Sequence, residues 1–138
     1  MKQKKQTNSY HVTVKGRFAS LNQYIDAFRL HRIGANRMKR DAQNLIIADV
    51  LNQLGRLKLH NPIEINYVYY EPNKKRDLDN ISGFFHKVFQ DALVKAGVIH
   101  NDSWHYIIGY SDKFYVDSRN PRIEVEIVET NKQKGGER

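Results

Sequence analysis

The segment from Ile63 to Glu71 constrains the possible folds most strongly, because its extended chain is apolar on both faces. Residues at alternating positions line one face, namely Ile63, Ile65, Tyr67 and Tyr69. Val68 and Tyr70 make the other face partly apolar. A strand with two apolar faces is usually central in its sheet and covered by helices. The segment therefore predicts a protein of the α/β class.

Two shorter elements are predicted before this strand. The apolar alternation of residues 10–14 before Gly16 indicates a first strand. Ser20 is a candidate cap for a first helix, which we expect to break at Gly34.

The remaining pattern completes one domain. A second helix is predicted from about residue 36 to residue 54, with Gly55 as its stop. Its expected inward-facing residues are Met38, Ala42, Leu45, Val50 and Leu54. An amphipathic helix over 80–96 and strands over 106–116 and 122–128 follow. The order β-α-α-β-α-β-β implies a single-domain α/β sandwich in which a mixed β-sheet packs against helices.

The chain of 138 residues predicts one domain over residues 9–129. We expect a basic, flexible tail at residues 1–8 and a disordered tail at residues 130–138. There is no cysteine, and no run of about 18 apolar residues long enough to span a membrane. The basic start lacks a following apolar stretch, which argues against a secretory signal. These features predict a cytoplasmic protein without a membrane partner.

The net charge of +8 predicts an acidic partner, although the tails hold five of the eight charges. Two clusters inside the domain are more specific. The first cluster has no acid and contains Arg29, Arg32, Arg37, Lys39 and Arg40, and the second is Lys74-Lys75-Arg76. A solvated surface is the ordinary explanation of such clusters. Because both flank acidic residues, we expect them to contact a nucleic-acid backbone.

The tetrapeptide Asp77-Leu78-Asp79-Asn80 places two carboxylates two residues apart, just before the third predicted helix. Both carboxylates can face one point if the segment is extended. The alternative is that Asp79 or Asn80 caps the helix, which would explain one acid but not two acids beside three cations.

Three more residues are candidates for the same site. Lys87 and Asp91 share a helical stripe with Asn80, although their spacing also suits a surface salt bridge. Asp102 lies in a turn, where an Asx-turn is the alternative explanation. Trp104 follows it, and we expect it to pack at the start of a strand, with base stacking as the alternative.

Aspartates from separate segments are typical of a magnesium site. Mg²⁺ prefers oxygen ligands and is usually held by one or two carboxylates, waters and substrate phosphates. Such a site activates water for attack on phosphorus, and a nearby lysine neutralises the growing charge. The pattern therefore predicts a nuclease that uses Mg²⁺, with Mn²⁺ as a substitute. The alternative is a non-catalytic nucleic-acid-binding module, in which the aspartates form caps and turns.

The combined motif is similar to that of the RusA-type Holliday-junction resolvases, which are typically phage- or prophage-borne. The similarity covers residues 74–107 and includes the tetrapeptide at Asp77, Lys87, Asp91-Ala92-Leu93, Ala96-Gly97-Val98 and Asp102. The segment Leu21-Asn22-x-Tyr24 also suits the family. The resemblance implies a homodimeric, magnesium-dependent endonuclease that cuts four-way DNA junctions by paired incisions, in DNA recombination and repair.

The resemblance also implies roles for individual residues. The expected catalytic residues are Asp77, Asp79, Lys87, Asp91 and Asp102, and the four aspartates among them are the expected metal ligands. Together with Asn80, the two basic clusters are the expected DNA contacts. In the family pattern the lysine follows the asparagine by three residues, whereas Lys87 follows Asn80 by seven, about one helical turn farther. A nuclease of the same chemistry acting on RNA or DNA flaps is a further alternative.

Overall fold

The structure, a computed structural model, describes residues 8–130. Its elements follow the predicted order and are β1 (Asn8–Lys15), α1 (Leu21–Leu30), α2 (Arg32–Leu54), β2 (Ile63–Glu71), α3 (Leu78–Lys95), β3 (Ile107–Val116) and β4 (Arg122–Glu129). None of the described helices is long and apolar enough to cross a membrane.

The four strands form one mixed sheet in the order β1-β4-β2-β3. β2 pairs in parallel with β3 and antiparallel with β4, and β1 pairs antiparallel with β4. Because parallel neighbours need a crossover, α3 runs back along the sheet from the end of β2 to the start of β3. The predicted α/β class, the mixed sheet and the central position of β2 are confirmed.

The helices pack on one face of the sheet in the described part of the chain. On that face, Ile65, Tyr67 and Ile127 are fully buried in a core that includes Phe85 and Phe89 of α3. The expectation that helices cover both faces of β2 is wrong. The other face is solvated because a row of polar residues crosses it, and sheets with antiparallel pairs tolerate one wet face.

The first helix ends earlier than expected. His31, not Gly34, separates α1 from α2 because its extended backbone (φ −157°, ψ 90°) interrupts the helix. The His31 amide donates to Ala27 O at 2.7 Å, and its Nδ1 accepts from the Gly34 amide at 2.9 Å. A Cβ on Gly34 would lie 3.1 Å from that nitrogen. Gly34 therefore lies inside the first turn of α2, where it allows the cap to approach.

The prediction that Leu45 of α2 faces inward is wrong. Leu45 is 62% exposed, whereas its neighbour Ile46 is fully buried. The buried stripe runs through Ala42, Ile46 and Val50 at helical spacing, and a shift by one residue rotates a side chain by about 100°.

Two residues at the ends of the described chain take part in the fold. Asn8 is the first residue of β1, and Thr130 is buried with its hydroxyl donating to Pro62 O at 3.1 Å. The rest of the two expected tails, residues 1–7 and 131–138, lies outside the described residues.

Candidate active site

The start of α3 positions two of the predicted acids. Asp77 is the N-cap residue, with extended backbone (φ −69°, ψ 155°), and Asp79 lies in the first helical turn. Aspartate at an N-cap usually accepts a hydrogen bond from a first-turn amide, but the Asp77 side chain makes no such bond. The capping alternative at Asp79 or Asn80 is therefore wrong. So is the assumption that Asp79 lies in an extended segment.

Both carboxylates are exposed and unpaired. Within residues 8–130, neither Asp77 nor Asp79 makes a side-chain hydrogen bond or an ion pair. The positive potential of the helix N-terminus keeps these free carboxylates ionised. As two adjacent negatively charged oxygen donors, they can bind a divalent cation.

The N-terminus of α1 docks beside that of α3. The Asn22 amide donates to Asn80 Oδ1 at 3.1 Å, and Leu21 packs so closely on Gly83 that a Cβ there would lie 2.9 Å from Leu21 Cδ2. These contacts explain the role of the Leu21-Asn22-x-Tyr24 segment. The side chain of Asn80, a predicted DNA contact, joins the two helices through its Oδ1 atom.

The helix α1 covers part of the stripe of α3 that contains Asn80, Lys87 and Asp91. Phe84 is 2% exposed, and its ring centroid lies 5.0 Å from that of Tyr24. Lys87 is exposed farther along α3. At 1.5 Å per residue, the Lys87 backbone lies about 12 Å along the axis from Asp79.

Arg76, also a predicted DNA contact, braces the loop before α1. Its guanidinium donates to Phe18 O at 2.8 Å and to Gln23 Oε1 at 3.1 Å. Partial burial and then the nearby Arg17 cation lower the pKa of Arg76, against the opposing effect of Glu71. Arg17 itself pairs with the buried Glu71 at 2.6 Å. The neighbouring Lys74 and Lys75 are exposed and remain available to a ligand.

A cavity of about 290 Å³ opens beside Asp77. Its wall includes Lys74, Arg76 and Asp77 on one side and Phe114 and Tyr115 at the end of β3 on the other. Neither residue of β3 was predicted to contribute to the site. Tyr115 lies opposite Tyr70 when β2 and β3 pair in parallel, but the sequence of one segment does not reveal this register.

Asp91 belongs to a network between α2 and α3. Its Oδ2 accepts from Gln43 Nε2 at 3.1 Å and lies 3.5 Å from Lys39 Nζ. Lys95 Nζ donates to Gln43 Oε1 at 2.8 Å. Asp91 therefore pairs with Lys39 rather than with Lys87, and its backbone lies about 18 Å along α3 from Asp79.

Asp102 lies at the other end of α3 from Asp77 and Asp79. α3 has 18 residues, so it spans about 26 Å. The Asx-turn there is formed by Asn101, whose Oδ1 accepts from the Ser103 amide at 2.9 Å, and the Asp102 carboxylate is exposed. Trp104 is 84% exposed, so the expectation that it packs at a strand start is wrong.

The structure therefore brings together Asp77 and Asp79, but not all four predicted aspartates. In the described residues, no group of three or more acidic or histidine side chains is placed to hold a metal ion. Asp77 and Asp79 are the residues that can contribute to such a site from one chain.

The first basic cluster lies on α1 and the first turns of α2. Its arginines at positions 29, 32, 37 and 40 are exposed, whereas Lys39 is half-buried against Asp91. The Arg32 guanidinium lies 5.5 Å from the Phe28 ring. The exposed arginines form a positive surface on the last turn of α1 and the first turns of α2.

The chain matches a known protein family. The family model described as "Endodeoxyribonuclease RusA" matches residues 47–128, which is more than half of the chain. The match includes β2, all of α3, β3 and most of β4. No curated protein matches the sequence.

Proposed function

Because the chain belongs to the RusA family of endodeoxyribonucleases, we propose that it resolves four-way (Holliday) DNA junctions in recombination and repair. It does so by paired, metal-dependent cleavage of the phosphodiester backbone. The observation that carries the proposal is the free Asp77 carboxylate at the N-cap of α3, next to the equally free Asp79. A carboxylate that gives up its usual capping bond is available to a ligand. We also propose a cytoplasmic location, on the ground that the substrate is DNA.

The residues at the start of α3 fit a magnesium ion, and Mn²⁺ has the same preference for oxygen ligands. Magnesium needs only one or two protein carboxylates, because waters and substrate phosphates fill its other positions. Asp77 and Asp79 supply two hard oxygen donors without disrupting any described contact. When bound, the ion would stabilise charge at the reacting phosphate and lower the pKa of a bound water.

The chain's own residues then orient the DNA. The exposed Lys74 and Lys75 hold the backbone next to Asp77, and the exposed arginines of α1 and α2 hold it farther out. The N-terminal amides of α1 and α3 add a fixed positive potential. Lys87 remains our candidate for the cation that neutralises charge at the phosphate. A lysine side chain is long and tilts toward the helix N-terminus, so it shortens the separation of the two backbones.

We propose that the active enzyme is a homodimer whose sites each combine two subunits. A two-fold dimer matches a junction with two equivalent cleavage points. In one chain Asp79 and Asp102 lie at opposite ends of α3, which is about 26 Å long, so the two acids are too far apart to bind one ion. An antiparallel arrangement of two chains would place the partner subunit's Asp102 beside Asp77 and Asp79.

The direct test uses a labelled synthetic four-way junction and a linear duplex of matched sequence. Each is incubated with the wild-type protein, with Asp79→Asn and with the control Asp41→Asn, in the presence and absence of magnesium. Asp41 is an exposed aspartate on α2, outside the candidate site. We expect paired, symmetric nicks on the junction alone, only with metal, from the wild type and Asp41→Asn. Asp79→Asn should bind the junction without cutting it.

Other outcomes favour the alternatives. Binding without cutting by every variant under every metal condition would indicate a non-catalytic nucleic-acid-binding module. Equal cutting of the junction and the duplex would indicate a nuclease of another specificity. Unchanged cutting by Asp79→Asn would contradict the assignment of the site.

A further inference from the structure

Three side chains form an ordered stack across the solvated face of the sheet. The Arg122 guanidinium of β4 lies 3.8 Å from the centroid of the Tyr70 ring on β2. The Tyr70 ring in turn stacks on Tyr115 of β3, with centroids 5.6 Å apart and planes inclined by 25°. Both pairs are direct partners in the strand register. The stack therefore follows one rung of the sheet from β4 to its edge.

The inner end of the stack is held in place. Arg122 Nη1 lies 2.8 Å from Asp117 Oδ2, and Arg122 Nε lies 2.8 Å from Glu124 Oε2. These charge-assisted contacts orient the guanidinium over Tyr70 and leave little freedom for that ring. Tyr115 is thus packed on its inner side against an already ordered partner.

The outer end of the stack is open and lies beside the candidate site. Tyr115 is 52% exposed, because β3 is the edge strand of the sheet. It lines the cavity of about 290 Å³ that also contains Asp77 and Lys74. Tyr115, the cationic Lys74 and the free Asp77 therefore line one opening at the end of the sheet. This combination suits a nucleotide, whose base is flat and apolar and whose phosphate is anionic.

We propose that Tyr115 is a stacking platform for an unpaired nucleobase of the DNA strand that is being cut. This role rests on the proposed function of the site. Lys74 contacts the phosphate next to that base, and the stacked base positions its nucleotide relative to Asp77. The branch point of a four-way junction offers bases that unstack more readily than those of a continuous duplex. Tyr115 is a positioning residue, because it binds the base rather than the reacting phosphate.

The test measures base stacking directly and needs no cleavage. An oligonucleotide with 2-aminopurine at one position, single-stranded or next to a junction branch point, is titrated without metal into the Asp79→Asn protein. The same titration is made with three double variants, in which the Asp79→Asn protein also carries Tyr115→Leu, Tyr115→Phe or the control Tyr110→Leu. Tyr110 lies on the same strand, is 58% exposed and packs on the opposite face against Tyr67.

We expect the 2-aminopurine emission to be quenched on binding in the parent, in Tyr115→Phe and in Tyr110→Leu. Tyr115→Leu should abolish the quenching and weaken binding by about 5- to 150-fold, which corresponds to about 1–3 kcal/mol for stacking one base. Quenching and affinity unchanged in Tyr115→Leu would overturn the proposal. If Tyr115→Leu does not fold, a second measurement is used. A DNA strand that contains 4-thiothymidine is photocrosslinked to the Tyr110→Leu protein, and the crosslinked residue is identified. An adduct on Tyr115 then supports the role, and adducts elsewhere contradict it.

The results separate the two proposals. If the wild type cleaves junctions but the quenching does not depend on Tyr115, the proposed nuclease activity is supported and the stacking role of Tyr115 is rejected. If the quenching depends on Tyr115 but the wild type does not cut DNA, the stacking role is supported and the proposed nuclease activity is rejected.

Discussion

Gly83 shows how a single residue sets the position of two helices. A glycine inside a helix is usually about 0.5–1 kcal/mol less stable than alanine. At Gly83 the added Cβ would lie 2.9 Å from Leu21 Cδ2 and 3.3 Å from Leu21 Cβ. We therefore expect Gly83→Ala to lower the free energy of unfolding by about 1–3 kcal/mol, the usual effect of overpacking. Junction cleavage should fall as well, because α1 moves away from Asn80. Urea denaturation and a cleavage assay measure the two effects.

The matched control for Gly83→Ala is the double variant with Leu21→Ala. Removing the leucine side chain relieves the contact. The double variant should therefore lose less free energy of unfolding than the sum of the losses in the two single variants. Additive effects in this double-mutant cycle would mean that the contact between Leu21 and Gly83 does not limit the approach of α1 to α3.

Asp91 is a residue for which sequence and structure suggest different roles. The motif predicts an acid of the active site, whereas its carboxylate is occupied by Gln43 and Lys39. Asp91→Ala leaves the buried Gln43 amide without its acceptor, so we expect a loss of about 1–3 kcal/mol in the free energy of unfolding. The cleavage rate of the folded protein should change little. A large loss of cleavage with unchanged stability would instead return Asp91 to the active site.

At the scale of whole elements, the solvated face of the sheet is held by a polar row centred on Glu126. Glu126 accepts from Asn66 Nδ2 at 3.0 Å and from Ser9 Oγ at 3.1 Å, and Ser111 Oγ donates to Asn66 Oδ1 at 2.7 Å. The hydrogen bond from Asn66, then that from Ser9 and the nearby His11, lower the pKa of Glu126 against the effect of partial burial. The row joins all four strands without an apolar layer.

This lowered pKa predicts a pH dependence of stability. The folded pKa lies below the usual value of 4.5, so the stabilisation is complete above that value and is lost as the pH falls through the folded pKa. Glu126→Gln should therefore be less stable than the wild type at pH 7, and the difference should shrink at pH 3. Urea denaturation at both pH values measures it, with Asp41→Asn as the control. A difference that stays constant between the two pH values would contradict this role of the Glu126 charge.

The elements themselves were largely predictable, because hydrophobic periodicity and turn residues are local signals. All seven elements occur in the predicted order. The errors arise where a side chain makes a specific contact. His31 ends α1 through its own cap, and Asp77 occupies an N-cap without using its side chain. Neither event is encoded in residue type alone.

At the scale of the whole molecule, the site was only half predictable. Asp77 and Asp79 are close in sequence and therefore close in space. The cavity wall at Tyr115 depends on how β2 pairs with β3, which involves residues about 45 positions apart in the chain and needs the sheet topology to be known. The position of Asp102 relative to Asp77 and Asp79 depends on the direction in which α3 runs. A motif that reads as one constellation thus divides into two halves at opposite ends of a helix.

A mixed-dimer experiment tests whether Asp77 and Asp79 of one chain form a site with Asp102 of the other chain. In a composite dimer, Asp79→Asn and Asp102→Asn homodimers should both be inactive, because each site lacks one acid. A heterodimer of the two variants then contains one site with both substitutions and one intact site. We expect it to nick one strand of the junction without the second incision. Differently tagged subunits, co-expressed and purified through both tags, provide the heterodimer.

The reciprocal heterodimer removes the remaining ambiguity. A subunit carrying both Asp79→Asn and Asp102→Asn, paired with a wild-type subunit, has one substitution in each composite site and should be inactive. If each site instead lay within one chain, the wild-type subunit would retain its activity and the first heterodimer would have none. The two arrangements therefore predict opposite results for the same pair of heterodimers. Because Asp79 and Asp102 lie at opposite ends of α3, which is about 26 Å long, we expect the composite pattern.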